Sequence, residues 1–213
     1  MKAVIFDMDG VIVDTMGIHK EATINAFSEN GFNITHKQLS QFDGMKSSEA
    51  FKNLFETKAD EEIEAMISKK YEFLKKRTSG IVPYSGFLSF FFKLKNKFPL
   101  AVCSSSRRAF VEYILEQINE RNSFKILVGA EDVSRGKPNP EPYLKTAELL
   151  NVSPKDCLVI EDSVAGIISA KKAGTKCIAV TNTFDRNFLL DADLVVDSLA
   201  EVSLEQAIGL FKN

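Results

Sequence analysis

Two aspartates separated by one residue follow the first apolar segment of the chain, in the run Asp7-Met8-Asp9-Gly10. The segment before them, Ala3 to Phe6, has the apolar character of a buried parallel strand. Such a strand presents the next residues at the carboxyl edge of a sheet, where open α/β folds bind ligands. In an extended stretch, Asp7 and Asp9 would point to the same side. One carboxylate could attack phosphorus while the other transfers protons, so both are candidate catalytic residues.

Three further segments place a charged or hydroxyl side chain just beyond an apolar run: Ser104-Ser105-Ser106, Gly136-Lys137-Pro138 and Glu161-Asp162-Ser163. The Ser104 hydroxyl suits phosphate, and the Lys137 ammonium can act as a point charge for a phosphoryl group. The carboxylates of Glu161 and Asp162 are hard oxygen ligands that suit Mg²⁺. Alone, each segment has a plainer interpretation, such as a hydroxyl-rich turn, a solvated lysine or a helix N-cap at Asp162. Together they predict one magnesium and phosphate site.

The elements that position these residues follow an alternating pattern from about Tyr84 onward. The apolar runs predict strands at Leu100 to Cys103, Ile126 to Val128, Leu158 to Ile160, Cys177 to Val180 and Leu194 to Val196. Helical spacing predicts helices between them at Arg107 to Ile118, Glu141 to Leu150 and Val164 to Ala173. This alternation is typical of βαβ units, and it predicts an α/β fold with a parallel sheet and helices on both faces.

The segment from Met16 to Gly80 breaks the alternation, because it shows helical patterns without an intervening strand. Ile18 to Glu29 has helical spacing, Thr35 to Gln38 has the spacing of a capping box, and an acidic first turn begins at Asp60. We therefore expect an all-helical insertion beside Asp7. The predicted division is a catalytic core of residues 1–15 and 81–213 and a helical cap of residues 16–80.

Composition restricts the class of partner. The chain has 213 residues, a formal net charge of -2 and 26% charged residues, which suits one soluble core with a modest insertion. This charge offers no basic surface for nucleic acid, and no apolar stretch is long enough to span a bilayer. The first strand begins at once, without a signal-peptide pattern, so we expect a cytoplasmic protein. A monomer is compatible with the mild net charge.

The three cysteines, Cys103, Cys157 and Cys177, are odd in number and lie in apolar runs without C-x-x-C spacing. We expect buried free thiols. Cys103 keeps a reactive role as an alternative, because it directly precedes Ser104 at a predicted strand end.

With these motifs, the chain resembles the haloacid dehalogenase superfamily over essentially its full length, in the branch of β-phosphoglucomutases and small phosphate-ester phosphatases. The resemblance rests on Asp7-Met8-Asp9-Gly10-Val11, Ser104, Gly136 to Tyr143 and Val159 to Ile167, in the expected order. It implies a Rossmann-like core with an inserted helical cap. Members that break carbon–halogen or carbon–phosphorus bonds lack the second aspartate of D-x-D, so Asp9 favours phosphate ester chemistry.

The resemblance also implies a role for each motif residue. Asp7 would be the nucleophile that forms an aspartyl-phosphate, and Asp9 the general acid and base. Ser104 and Lys137 would hold the phosphate. Mg²⁺ would be bound by Asp7, the backbone carbonyl of Asp9, and Asp162, with Glu161 nearby or acting through water.

The sequence does not separate hydrolysis of a phosphate ester from transfer of a phosphoryl group within a sugar phosphate as clearly. Thr15 and His19 match the T-x-x-x-H that β-phosphoglucomutases carry, although many phosphatases of this branch have the same histidine. In mutases, a cap segment that contains an arginine binds a second phosphate. The corresponding segment here is Gly44-Met45-Lys46-Ser47, which has no arginine. Lys46 could supply charge but not a bidentate fork.

We therefore predict a phosphatase that acts on a small phosphorylated metabolite, a sugar phosphate in particular. A β-phosphoglucomutase-type mutase and a catalytically silent phosphate-binding protein are the alternatives. The candidate substrate-binding residues are Thr15, His19, Gly44, Met45, Lys46, Ser105, Ser106 and Arg107. Arg107 and Arg108, or Lys69 and Lys70, could serve in place of the missing cap arginine. The basic run formed by Lys69, Lys70, Lys75, Lys76 and Arg77 is nevertheless interpreted as a solvated helix face rather than a route for anions.

Overall fold

Six short apolar segments form one parallel sheet in the computed structural model, which describes residues 1–55 and 58–212. The strands are β1 (Ala3–Phe6), β2 (Leu100–Cys103), β3 (Ile126–Val128), β4 (Cys157–Glu161), β5 (Lys176–Val180) and β6 (Leu194–Val196). Their order in the sheet is β3-β2-β1-β4-β5-β6. Since β1 lies between β2 and β4, the chain changes direction across the sheet beside β1, which is where such folds bind ligands.

All six predicted strands are confirmed, with small differences in the bounds of two of them. β4 and β5 extend beyond the predicted apolar runs, because the backbone ladder between them pairs Leu158 with Lys176 and Glu161 with Ala179. A ladder hydrogen bond does not require an apolar side chain, so hydrophobicity alone underestimates strand length.

The helices complete the predicted α/β pattern. They are α1 (Met16–Ser28), α2 (His36–Leu39), α3 (Ser47–Leu54), α4 (Asp60–Arg77), α5 (Ser85–Leu94), α6 (Arg108–Gln117), α7 (Glu141–Leu150), α8 (Val164–Lys172) and α9 (Leu204–Gly209). The first four follow β1 without an intervening strand, which confirms an inserted helical cap on a Rossmann-like core. Within residues 1–55 and 58–212, none of the helices has the length and apolar character needed to cross a membrane.

Both faces of the sheet are buried. Val4 and Phe6 of β1 pack into the apolar cluster that includes residues of α5 and α6, while Ala3 and Ile5 pack into the cluster under α7 and α8. The three cysteines are buried and free, as predicted. Burial raises the pKa of the Cys103 thiol to about 11, which does not favour a reactive role.

The cap is hydrogen-bonded to the core above the carboxyl edge of the sheet. The Ser105 hydroxyl donates to the Gly44 carbonyl at 2.6 Å, and the backbone N–H of Gly136 donates to the Glu49 carboxylate at 2.7 Å. The backbone N–H of Arg107 donates to the Tyr71 hydroxyl at 2.8 Å. These contacts hold the cap over the ends of β1, β2 and β4, where the motif residues lie.

Candidate active site

The proposed nucleophile Asp7 lies directly after β1 and forms a buried ion pair. The Lys137 ammonium donates to Asp7 Oδ1 at 2.5 Å and to Glu161 Oε1 at 2.6 Å, and its side chain is 2% exposed. It also donates to the Cys103 carbonyl at 3.2 Å. Three of the four sequence motifs therefore meet around one ammonium group.

Glu161 is fully engaged by donors of the protein. Its Oε1 accepts hydrogen bonds from Lys137 and from the Tyr143 hydroxyl at 2.7 Å. Its Oε2 accepts hydrogen bonds from the backbone N–H groups of Asp162 and Ser163 and from the Ser163 hydroxyl, at 2.9 to 3.0 Å. Burial alone would raise the pKa of Glu161, but Lys137 and these hydrogen bonds lower it below its usual range. Glu161 is thus placed to orient Lys137 rather than to bind a metal ion directly.

Asp162 lies against the turn that follows β1. A β-carbon added to Gly10 would collide with the Asp162 carboxylate and lie 2.7 Å from the Thr183 hydroxyl, which donates a hydrogen bond to that carboxylate. Gly10 has a φ of +86°, which is favourable only for glycine. Burial, together with the charges of Glu161 and Asp7, raises the pKa of Asp162 well above its usual range.

The Asp9 carboxylate is held by hydroxyl groups of the core and by a histidine of the cap. Its Oδ1 accepts a hydrogen bond from the Thr15 hydroxyl at 2.5 Å and lies 3.0 Å from His19 Nε2. Its Oδ2 accepts hydrogen bonds from the hydroxyls of Ser106 at 2.8 Å and Ser104 at 3.2 Å. Burial would raise the pKa of Asp9, but His19, Thr15 and Ser106 hold it well below its usual range.

The oxygen atoms around Asp7 are suitable ligands for a divalent cation. Burial raises the pKa of Asp7, and the neighbouring charges of Glu161 and Asp9 add to this shift against the opposing effect of Lys137. Lys137 thus faces the three buried carboxylates of Asp7, Glu161 and Asp162. A divalent cation would reduce this excess of negative charge. Among the described residues, no hydrogen bond is made to the Asp9 backbone carbonyl. The set offers two carboxylates and one carbonyl; no group of three acidic, histidine or cysteine side chains in the described residues is arranged as a metal site.

A cavity between cap and core opens onto Asp7 and Asp9. The empty space at this opening is about 770 Å³, a volume that includes open solvent. Predicted substrate-binding residues on its wall are His19, Gly44, Met45, Ser105 and Ser106. The cap side also contributes apolar side chains, namely Met16, Leu39, Phe42, Ala50, Phe51 and Leu54. The cavity therefore has the carboxylates of Asp7 and Asp9 on its core side and mainly apolar side chains on its cap side.

Three predicted substrate-binding residues are not on this wall. Thr15 is buried and donates its hydroxyl to Asp9. Lys46 and Arg107 line a second cavity at the seam between cap and core. The Lys46 ammonium donates to the Val133 carbonyl at 2.8 Å, and the Arg107 guanidinium pairs with Glu64. Their contacts thus join the cap to the core instead of facing Asp7 and Asp9.

The interpretation of the basic run as solvated is wrong for one member. Lys70 is 7% exposed and lines the cavity that contains Asp7 and Asp9, whereas Lys69, Lys75, Lys76 and Arg77 are exposed. The sequence contains a pattern that predicts this burial, because Lys70 lies three, four and seven residues after the apolar Ile67, Met66 and Ile63. Helical periodicity therefore places it on the buried face of α4.

Sequence reasoning also missed three residues around the carboxylates. Tyr143 and Thr183 donate to Glu161 and Asp162, and the Asn182 amide donates to the Gly10 carbonyl at 2.7 Å. The four motifs were identified as polar residues that follow an apolar run. Asn182 and Thr183 meet the same criterion, because they come just after β5. Tyr143 lies within a buried helix face, where local sequence does not indicate its partner.

Comparison with known proteins agrees with this geometry. The family described as haloacid dehalogenase-like hydrolase matches residues 4–180. Validoxylamine A 7'-phosphate phosphatase of Streptomyces hygroscopicus subsp. limoneus is 30% identical over 94% of this chain and 95% of its own length. A β-phosphoglucomutase of Bacillus subtilis is 31% identical over 96% of this chain and 93% of its own.

A solved structure extends the comparison to the fold. The β-phosphoglucomutase of Clostridium difficile superposes with a TM-score of 0.88, covers 99% of this chain and 97% of its own, and is 27% identical. Phosphatases and phosphoglucomutases are therefore both represented among the similar proteins, as the motifs predicted. The chain belongs to the haloacid dehalogenase-like hydrolase family, as an enzyme of its phosphoric monoester hydrolase and β-phosphoglucomutase-like branch.

Proposed function

We propose that this enzyme is a Mg²⁺-dependent phosphatase that hydrolyses a small phosphorylated metabolite, specifically a sugar phosphate or a similar polyol phosphate. The observation that carries the proposal is the buried cluster of Asp7, Lys137 and Asp162 beneath a cavity that also exposes Asp9. The names of the two curated relatives support the substrate class, since both refer to phosphate esters of sugar-like molecules. A cytoplasmic location and a monomeric state remain predictions from the sequence.

In the first step, an Asp7 carboxylate oxygen attacks the phosphorus atom. The new bond joins that oxygen to phosphorus while the bond from phosphorus to the leaving oxygen breaks. Lys137 opposes the rise in the pKa of Asp7 that burial causes, and it stabilises negative charge on the phosphoryl oxygens. The leaving oxygen receives a proton from Asp9, which shares hydrogen bonds with Thr15 and His19.

In the second step, Asp9 takes a proton from water as the water oxygen bonds to phosphorus. The bond between phosphorus and Asp7 then breaks, which regenerates the carboxylate and releases inorganic phosphate. A phosphate bound at Asp7 would compete with Asp9 for the Ser104 hydroxyl, whose hydrogen bond to Asp9 is the longest of the three that hydroxyls make. Loss of that donor would raise the pKa of Asp9 and so ease its protonation.

The metal ion would be held by Asp7, Asp162 and the backbone carbonyl of Asp9. When bound, Mg²⁺ supplies positive charge to the phosphoryl oxygens in the transition state. Glu161 and Thr183 would then act on the positions of Lys137 and Asp162 through their hydrogen bonds.

The cap geometry favours hydrolysis over transfer within the substrate. The segment Gly44 to Ser47 contains no arginine, and the Lys46 ammonium is bound to the Val133 carbonyl. A mutase remains the alternative, because Thr15 and His19 hold Asp9 as the T-x-x-x-H resemblance implies.

A panel of phosphorylated metabolites separates these activities. The wild-type enzyme, Asp7→Asn and the control Asp14→Asn would be incubated with each compound and Mg²⁺, and both free phosphate and isomerised sugar phosphates would be measured. Asp14 is an exposed carboxylate in the same loop. We expect phosphate release by the wild type and the control, and none by Asp7→Asn. Normal activity of Asp7→Asn would contradict the mechanism, and conversion of β-glucose 1-phosphate to glucose 6-phosphate with little free phosphate would establish the mutase.

A further inference from the structure

The loop that leads into Lys137 is bound by carboxylates of both the core and the cap. On the core side, the Glu141 carboxylate accepts hydrogen bonds from the backbone N–H groups of the two residues before Gly136, at 2.6 and 3.1 Å. On the cap side, the Glu49 carboxylate of α3 accepts a hydrogen bond from the backbone N–H of Gly136 at 2.7 Å. Three successive N–H groups thus bind carboxylates, and the group nearest Lys137 binds a carboxylate of the cap.

The cap also fills the space beside Gly136. A β-carbon added to this glycine would lie 2.5 and 2.6 Å from two side-chain carbons of Lys46, and 2.9 Å from the second carboxylate oxygen of Glu49. Gly136 is buried, and the Lys46 ammonium donates to the Val133 carbonyl of the same loop at 2.8 Å. The absence of a side chain at Gly136 therefore allows the start of α3 to contact the loop backbone directly.

The position of this loop determines where the Lys137 ammonium lies. Lys137 is 2% exposed, and its ammonium donates hydrogen bonds of 2.5 to 3.2 Å to Asp7, Glu161 and the Cys103 carbonyl. An ammonium group has three donors, so all of them are directed at fixed acceptors of the core. A shift of the backbone at Gly136 would disturb this arrangement, and a displacement of about 1 Å in a catalytic group can lower a rate about a hundredfold.

A second cap carboxylate contacts the core without reaching this loop. Glu64 of α4 forms an ion pair with the Arg107 guanidinium. Within the residues that the structure describes, this guanidinium hydrogen-bonds to Ser68 and Glu64 of the cap and to no residue of the loop before Lys137. Comparison of Glu49 with Glu64 can therefore separate an effect on Lys137 from attachment of the cap in general.

We propose that Glu49 is a positioning residue for Lys137, because its carboxylate holds the Gly136 peptide and thereby keeps the ammonium against Asp7 while the cap contacts the core. The inference rests on the proposed phosphatase function, in which Lys137 stabilises the phosphoryl oxygens. In the described part of the chain, the wall of the substrate cavity does not include Glu49. Glu49 would thus affect the reaction rate through Lys137 and not through contact with the substrate.

Matched variants test this role on a substrate identified with the metabolite panel. Glu49→Ala removes the acceptor, Glu49→Gln keeps an oxygen acceptor on a side chain of the same length, and Glu64→Ala removes the control contact. We expect Glu49→Ala to lower kcat by about tenfold to a hundredfold and to change KM by less than about threefold. Glu49→Gln should recover most of this loss. Glu64→Ala should change both constants by less than about threefold.

Chemical labelling of Lys137 gives a second readout that does not require turnover. A buried ammonium reacts with acetic anhydride only when the structure around it opens, and mass spectrometry of the peptide that contains Lys137 measures the extent of reaction. Loss of a hydrogen bond to a carboxylate should make such opening, and hence the labelling rate, about tenfold higher in Glu49→Ala. Glu49→Gln and Glu64→Ala should label at about the rate of the wild type.

The inference is overturned if Glu49→Ala raises KM and leaves kcat unchanged, or if Glu64→Ala has the same effects on kcat and labelling. Either result would indicate that Glu49 only attaches the cap to the core. Unchanged labelling of Lys137 in Glu49→Ala would also contradict the proposal. If the wild type released phosphate from no compound, the phosphatase function would be contradicted, and the labelling rates alone would decide whether Glu49 holds Lys137 in place.

Discussion

At the scale of single residues, the site is governed by the balance of buried charge. Asp7, Glu161 and Asp162 are buried within reach of one another's charges, and Lys137 is the ammonium hydrogen-bonded to the first two. A buried ion pair contributes little by itself, but loss of one partner leaves an uncompensated charge. Lys137 is therefore expected to be both a phosphate ligand and a requirement for the folded site.

Replacement of this lysine tests that dual role. Lys137→Met removes the ammonium and leaves Asp7 and Glu161 buried without it, so the free energy of unfolding should fall by about 3 to 5 kcal/mol. Urea denaturation measures the change. The control Lys145→Met removes an exposed lysine paired with Glu148 at 3.5 Å and should cost less than about 0.5 kcal/mol. An unchanged unfolding free energy in Lys137→Met would show that the carboxylates do not depend on this cation.

The residues of the site were predictable to different extents. Asp7, Asp9, Lys137 and Asp162 were singled out because each comes soon after an apolar run or, for Lys137, lies between a glycine and a proline, which are local features. The hydrogen bond between Tyr143 and Glu161 joins residues 18 positions apart, and the Lys46 bond to Val133 joins residues 87 apart. No local pattern encodes such contacts, so the partners of these side chains required the fold.

At the scale of elements, the turn after β1 brings Gly10 close to Asp162, one of the proposed metal ligands. Gly10 has a positive φ, and the space of its missing β-carbon is occupied by Asp162 and Thr183. The turn thus has a conformational requirement and a steric one at the same residue. These two requirements can be separated by comparison with another glycine.

Gly31 provides that comparison. It has a φ of +79° and no atom within 4 Å of the position that a β-carbon would occupy, so Gly31→Ala should cost only the conformational penalty of about 1 to 2 kcal/mol. Gly10→Ala should cost more and should also lose most phosphate release, because its β-carbon displaces Asp162. Unfolding and activity assays of both variants measure the two effects. Full activity in Gly10→Ala would show that the close approach to Asp162 is not required.

The strands were predicted well because each has a short continuous apolar run, as buried parallel strands do. Their order was not predictable in the same way. The position of β1 between β2 and β4 arises from backbone pairing between segments about 95 and 150 residues apart, such as Ile5 with Ala101 and with Val159. The burial of Lys70 was not predicted, because the sequence interpretation gave more weight to the charges of α4 than to the apolar periodicity of this helix.

At the scale of the whole molecule, metal binding should be coupled to folding. The two halves of the site come from the ends of β1 and β4, so the carboxylates of Asp7 and Asp162 are brought together only in the folded chain. Their raised pKa values show that ionising both is unfavourable in this structure. A divalent cation that binds them only in the folded state must increase stability.

Thermal unfolding with and without Mg²⁺ tests this coupling. At a concentration about 100 times its dissociation constant, Mg²⁺ should stabilise the wild type by about 2.7 kcal/mol, which raises Tm by about 5 to 10 °C. Asp162→Asn removes one ligand and one of the repelling charges, so Mg²⁺ should change its Tm much less. Equal Mg²⁺-dependent shifts in the two proteins would contradict the assignment of Asp162 as a ligand.

The central claim is that Asp7 becomes covalently phosphorylated during turnover, and chemical trapping tests it most directly. Borohydride reduces an acyl phosphate to an alcohol, so quenching the enzyme with borohydride during hydrolysis of an identified substrate should convert Asp7 to homoserine. Mass spectrometry of the peptide that contains Asp7 would detect the change. We expect homoserine at position 7 in the presence of substrate and intact aspartate without it. Phosphate release accompanied by an Asp7 that is never trapped would contradict the account and indicate direct attack by water.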